Sequence, residues 1–236
     1  MKSKTTLKFL TCALLSTGMC MNANAQSVEN RQVNKAYWTS GIDGYVLSTA
    51  IDSRNIKPAN SASVSTPRFT AFFHIGANVN YDITKHVGIF TGLSIKNIGF
   101  IEKYNNPDST AKRRVYTFGI PLGFKFGNLK YGSFLIAGGG VDFPFNYKEK
   151  GFIDRGNKTK FNEWFSSRTP AVMPYFFIGA HLRPIVAVKL QYYPANFMNP
   201  NYSETVGNTT VKPYANYDVQ LLMLTLGFDI NYRPRS

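Results

Sequence analysis

The chain has 236 residues, with 27 Lys and Arg against 13 Asp and Glu, a formal net charge of +14, and two cysteines. Beyond the first 25 residues no stretch holds 18 consecutive apolar residues, which excludes a membrane-crossing helix there but not a barrel that crosses with strands. The basic residues are spread over several connections instead of forming one stripe, which argues against a nucleic-acid partner and fits attraction to anionic lipid headgroups.

Residues 1–25 read as a cleaved secretory signal peptide. Lys2, Lys4 and Lys8 open it, Phe9–Met21 is mostly apolar, and Ala23-Asn24-Ala25 offers a small-x-small cleavage site before Gln26. The apolar stretch is shorter than the roughly 20 residues a spanning helix needs, and Met19 is too bulky to precede a lipidated Cys20. Cys12 and Cys20 both leave with the signal, so the mature chain has no disulfide and no thiolate metal ligand. Its charge is +11, because three lysines and no acids are removed. A short periplasmic segment (26–36), one barrel domain (37–232) and a short tail (233–236) are expected, since all-β barrels of about 200 residues form single domains.

Period-two alternation predicts eight strands. The first, Tyr37–Ile51, is the weakest. In RFTAFFHIGANVNY, Phe69, Ala71, Phe73, Ile75, Ala77, Val79 and Tyr81 oppose Arg68, Thr70, Phe72, His74, Gly76, Asn78 and Asn80. In VGIFTGLSIK, Val87, Ile89, Leu93 and Ile95 oppose Gly88, Gly92, Ser94 and Lys96, with Phe90 out of phase. In RVYTFGIPLGFKFG, Tyr116, Phe118, Ile120, Leu122, Phe124 and Phe126 alternate with small or polar residues. Pro121 removes a ladder donor there and predicts a bulge. In LIAGGGVDFPFNY, Leu135, Ala137, Val141, Phe143, Phe145 and Tyr147 oppose Gly138, Gly140, Asp142 and Asn146. Three further strands carry Val172–Leu182, Val186–Tyr192 and Leu222–Tyr232.

The connections alternate in length. Asp82–His86, Asn128–Gly132 and Arg183-Pro184 are short; Asp52–Pro67, Glu102–Arg113, Lys148–Ala171 and Pro194–Pro213 are long and polar. An up-and-down barrel with short periplasmic turns and long outer loops has this asymmetry. A soluble barrel with an apolar cavity shows the same alternation, but its outer face needs charge. Here the small, thinly charged faces suit the narrow interior of an eight-stranded barrel. The bulky faces suit lipid, with Tyr81, Tyr116, Tyr147, Tyr192 and Tyr232 near strand ends as aromatic girdles. The expectation is an all-β, eight-stranded antiparallel up-and-down transmembrane β-barrel in the outer membrane of a Gram-negative bacterium.

The leader, the eight short strands, YTFGIPLGFKFG, FLIAGGGVDFPF and the aromatic-ended last strand resemble the small outer-membrane barrels of Bacteroidetes, the PorT-like group. The resemblance covers roughly 37–232 and implies fold and location. It says almost nothing about activity, although the name-giving branch is tied to protein secretion. Tyr232 is followed by Arg233-Pro234-Arg235-Ser236, whereas related barrels usually end on the aromatic.

The site candidates are few. His74 falls on the lumen side, His86 in a turn and His181 near the turn-side rim, without the spacing of a metal-binding pair. None sits at the loop rim, where outer-membrane acyl-chain enzymes place a nucleophile and base, so no catalytic, metal or cofactor site is expected. Lys96, Lys125, Asp142, Lys189 and Asp229 are the lumen charges, with Lys189 and Asp229 as a candidate ion pair. The 148–171 connection offers Phe161, Trp164, Phe165 and Arg168 as a docking surface, or as aromatics packed over the barrel mouth. Lys112, Arg113 and Arg114 are candidate contacts to lipopolysaccharide phosphates, or a solvated charge run. The expected role is structural or interactive, through the outer loops of a monomeric barrel. The expected partners are outer-membrane lipid, lipopolysaccharide or another envelope protein, and no cofactor. The alternatives are a component of a secretion or envelope-assembly complex and a soluble periplasmic lipid-binding barrel.

Overall fold

The computed structural model describes residues 36–53, 61–105, 108–129, 131–153, 157–182 and 186–230. The signal peptide, most of the 26–36 segment, Tyr232 and the 233–236 tail lie outside them. The strands are β1 (Ala36–Asp52), β2 (Ser61–Thr66), β3 (Arg68–Asp82), β4 (Val87–Asn105), β5 (Asp108–Asn128), β6 (Ser133–Ile153), β7 (Asn157–Trp164), β8 (Met173–Leu182), β9 (Val186–Tyr193), β10 (Glu204–Val206), β11 (Thr209–Val211) and β12 (Val219–Ile230). Eight of them close a ring in the order β1-β3-β4-β5-β6-β8-β9-β12, and β12 returns to β1 through an antiparallel ladder from Ser40↔Ile230 to Asp52↔Val219. Closure gives each of the eight strands a partner on both sides, which lipid demands because it offers no hydrogen-bond partner.

The orientation follows the alternation. Phe118, Leu122 and Phe124 face outward at 47, 61 and 51 % exposure, while Gly119 and Gly123 between them are buried in the lumen. Leu93, Ile95, Leu135, Phe176, Ile178 and Leu224 continue the outer apolar belt. A soluble carrier would place these residues around an internal cavity, so that alternative fails. Phe90, out of phase in the sequence, turns inward and packs on Phe177, with ring centroids 5.9 Å apart. Gly123 makes room for that pair: a Cβ there would meet both rings at 2.6–2.8 Å.

Two bulges shift the phase. Gly44 is an extra residue against β12, and against β3 the register shifts at the same place with the extra residue on β3 (Asp43↔His74, then Tyr45↔Ala71), so Thr39 and Asp43 point inward before it and Val46, Ser48 and Ala50 after it. Phe145 is the extra residue where Tyr116↔Asn146 gives way to Thr117↔Pro144. It sends Tyr147 into the interior, fully buried, rather than into the expected lipid-facing girdle. The bulge expected at Pro121 is absent. The β4–β5 register passes from Thr91↔Leu122 to Ser94↔Gly119 without a shift, and Thr91 Oγ1 donates to Pro121 O at 2.8 Å.

Two of the connections expected to be long loops are largely strand. β4, β5 and β6 run for 19, 21 and 21 residues, about twice the roughly 10 needed to cross a bilayer. Their outer halves project beyond the ring as a sheet, widened by β7 pairing with β6 (Asn146↔Trp164 to Ile153↔Asn157) and by β2 pairing with β4. On the β2 side the β3–β4 ladder stops at Ile75↔Ile95, and pairing to the same edge of β4 resumes only at Thr66↔Ile101. Side chains bridge the interval: Arg68 donates to Asn97 O and Oδ1, His74 Nε2 to Asn97 O, and Ser48 Oγ to Gly99 O.

Candidate functional site

The lumen is filled from both chemistries. At mid-height Lys96 Nζ lies 3.0 Å from Asp142 Oδ1 and 3.6 Å from the centroid of the Tyr175 ring, and Tyr193 donates to Asp142 Oδ2 at 2.7 Å. Gly119 leaves the space for this pair, since a Cβ would collide with Asp142 and Ser94. Lys125 pairs with Asp82 and donates to Tyr37 Oη at 2.8 Å; Lys189 lies 3.0 Å from Asp43, which also faces His74 Nδ1 at 3.7 Å. Each carboxylate comes from a strand that brings it opposite a cation, which offsets the several kcal/mol that an unpaired buried ion costs. A cavity of about 150 Å³ remains toward the turn side, lined among others by Tyr37, Lys125, Leu129, His181, Lys189 and Gln191.

Toward the loop side the lumen is closed by apolar packing. Phe100, Tyr147, Met173, Tyr193, Phe197, Met198 and Met223 are at most 1 % exposed, and Phe100 meets Phe197 edge-on at 5.3 Å. Phe197 and Met198 are delivered by the 194–218 connection, which Asn196 folds inward: its Oδ1 accepts from Met198 N and Val219 N, and its amide donates to Tyr217 O. Above this plug lies a second hollow, about 430 Å³, bounded by Tyr104, Arg113, Glu149, Arg168, Glu204 and Tyr214. Arg168 ties its walls together, donating to Glu204 at 2.8 Å and to Tyr214 Oη at 3.1 Å, with its guanidinium over the rings of Phe161 and Tyr202. Desolvation pulls the Arg168 guanidinium down, but the bonds to Tyr214 and Glu204 outweigh it and hold its pKa above the usual range. This cation stays charged.

The sequence candidates separate on this frame. Lys189 is a lumen charge as expected, and the partner the structure gives it is Asp43 on β1; the side chain of Asp229 lies outside the described residues, and its backbone sits opposite Gly41. Phe161, Trp164, Phe165 and Arg168 do not share one surface, because strand alternation divides them. Phe161 faces the upper hollow and packs against Tyr147, whereas Trp164 faces outward and stacks on Phe145 at 6.0 Å. Phe165 stands 81 % exposed at the end of β7, with a φ of 51°. Lys112 and Arg114 lie on the outer face of the projecting sheet. Arg113 does not: it points inward, pairs with Glu102 and has Nε 3.4 Å from Glu149. The three histidines occupy the expected places, with His86 Nδ1 3.2 Å from Gly127 O and His181 stacked on Phe134 at 4.7 Å. Among the described residues no group of three His, Cys, Asp or Glu side chains is placed to hold a metal.

Sequence reasoning missed the company that Lys112 and Arg114 keep. Lys112 is directly opposite Lys150, which is opposite Lys160; Arg114 is opposite Lys148; Lys158 is opposite Phe152. Lys112 and Lys158 flank the Phe152 ring at 5.3 and 5.7 Å, and Lys148 sits 5.0 Å over Tyr116. The signal was present in KEKGFIDRGNKTKF, where alternate positions carry the lysines, but it requires knowing that 148–153 and 157–164 are paired strands.

The profile of the family described as outer membrane protein beta-barrel domain matches residues 24–233. Among solved structures, Ail, the attachment invasion locus protein of Yersinia pestis, aligns at 13 % identity and a TM-score of 0.34, over 84 % of this chain and 100 % of that one. Neisserial surface protein A aligns at 11 % and 0.40, over 86 % and 100 %. The outer membrane protein AlkL aligns at 10 % and 0.38, over 92 % and 100 %. A comparison with curated proteins finds no match. A closed ring of eight antiparallel strands with an apolar outer belt, together with a profile match over most of its length, shows that the chain belongs to the outer membrane protein beta-barrel domain family.

Proposed function

We propose that this outer-membrane barrel is a non-catalytic, non-conducting anchor that presents a rigid sheet above the outer leaflet for interaction with envelope components. One observation carries the reading: the lumen is stopped by a packed layer around Phe100, Tyr147, Phe197 and Met198, while β4–β6 continue far beyond the length that a membrane requires. An eight-stranded ring has no room for an aqueous channel once side chains fill it; open pores take about 16 strands. The test is reconstitution of the mature chain into planar bilayers and proteoliposomes. No ion-channel events and no sugar-dependent swelling are expected, and on intact cells a membrane-impermeant maleimide should label Thr159→Cys within 157–164. Stable single-channel conductance, or protection of that segment, would overturn the reading.

The strand motifs YTFGIPLGFKFG and FLIAGGGVDFPF support placing the chain with the PorT-like barrels of Bacteroidetes and keep a second role in view, as one component of a secretion or envelope-assembly complex. Stoichiometric co-purification of a partner in mild detergent supports that role; a monomeric barrel on a sizing column supports the first.

A further inference from the structure

The outer face of β5–β6–β7 is built against its own stability. Lys112, Lys150 and Lys160 form a row across three adjacent strands, with Arg114 and Lys148 in the row on one side of it and Lys158 in the row on the other. Directly opposed side chains on one face stand about 5 Å apart, where like charges destabilise a sheet. Among the side chains the structure describes, no carboxylate shares this face: Glu149 turns to Arg113, and Glu163 to Arg168. Arg114 first, then desolvation, and then Lys158, Lys160 and Lys112 depress the pKa of Lys150.

What lies beneath the cations decides what neutralises them. Tyr116, Phe118, Phe145 and Trp164 follow on the same outer face, with Phe118 and Trp164 exposed and Phe145 in contact with Tyr116, Phe118 and Trp164. Aromatic side chains of this kind mark the boundary between acyl chains and headgroups. The six cations therefore stand at headgroup height of the outer leaflet, on a stiff paired sheet. That geometry suits a ligand with an acyl body and several negative charges at one level, as multidentate phosphate binding by Lys and Arg requires.

We propose that this face is a binding site for the phosphate groups of the outer leaflet's glycolipid, with Lys112, Lys150 and Lys160 as its central row and Arg114, Lys148 and Lys158 beside it. The proposal rests on the orientation adopted above, loops outward, and deepens it by naming the partner and the surface. Bound phosphates replace the missing carboxylates and turn a repulsive surface into a cohesive one. The same substitutions therefore have opposite effects with and without the glycolipid.

The experiment uses the full mature chain, folded in detergent and checked by heat-modifiable gel mobility. Melting temperature and binding are measured with purified lipopolysaccharide, with the same lipopolysaccharide stripped of its phosphates, and with inorganic phosphate. Lipopolysaccharide should raise the melting temperature of the parent protein and bind at least tenfold tighter than the stripped form. Lys112→Gln/Lys150→Gln/Lys160→Gln should lose at least tenfold in affinity and yet melt higher than the parent in lipid-free detergent. Lys150→Gln alone should move both readouts the same way by less, which keeps the test valid should the triple variant fail to fold. Lys85→Gln, at the turn end, should change neither. Equal binding of the stripped form, unchanged binding by both row variants, or full stabilisation by inorganic phosphate alone would overturn the proposal. Conductance through the parent barrel would remove the anchor reading but leave this binding intact, so the two failures are distinguishable.

Discussion

The turn-side and loop-side halves of the barrel are made of the same strands and hold themselves together differently. On the turn side the register is regular, the lumen keeps a small cavity, and fixed ion pairs such as Lys125–Asp82 and Lys189–Asp43 line it. On the loop side two bulges, at Gly44 and Phe145, reset which residues face inward, and the centre becomes an aromatic and methionine core. The difference reflects what surrounds each half. In lipid the outer face must be apolar and the inner face carries whatever polarity remains. Above the headgroups water returns outside, so the inner face takes over the role of a core.

The two halves meet at mid-height on Asp142, which pairs with Lys96 and accepts from Tyr193. Asp142→Ala leaves Lys96 buried without its carboxylate, and chemical unfolding from lipid vesicles should show a loss of about 3–5 kcal/mol. Lys96→Met/Asp142→Ala should regain much of it, because the stranded charge is gone. A loss that persists in the double variant would mean that packing, not charge, governs this level. In the loop-side half, Phe197→Ala should cost about 3 kcal/mol or more, as large-to-small changes in close-packed cores do. It should do so without altering the turn-side ion pairs, which hydrogen exchange can follow. The smallest effect concerns pH. In the folded protein the pKa of Lys150 lies below its unfolded value of 10.5. Between those two values the unfolded chain binds more protons, so stability in lipid-free detergent should rise as pH climbs through that window. Lys112→Gln should flatten the rise.

The sequence was most legible where one face meets lipid. From Tyr116 to Phe126, and from Leu222 to Phe228, the contrast between bulky and small residues is nearly complete, and both strands face as expected. Legibility failed for two physical reasons. A bulge inserts one residue and inverts the phase without leaving a mark in composition, which is why Tyr147 looked lipid-facing and why β1, interrupted at Gly44, looked weak. Where both faces of a sheet meet water or polar groups, alternation carries little contrast. Residues 108–113 and 148–153, DSTAKR and KEKGFI, therefore read as loop although they pair along their length. The same blindness concealed the cationic row, and it hid Asp43 as the partner of Lys189, since Asp43 reaches the lumen only through the phase set by Gly44.

The interval between β3 and β4, where Arg68, His74 and Ser48 stand in for a missing ladder, gives the wall a built-in line of weakness. A closed wall strained by heat or by a pulling force opens first where its main-chain crosslinks break off partway along two neighbouring strands. Parting there exposes residues 67–74 and 96–100 while the seven other strand junctions stay stitched, so this barrel unzips at one known place instead of collapsing all round.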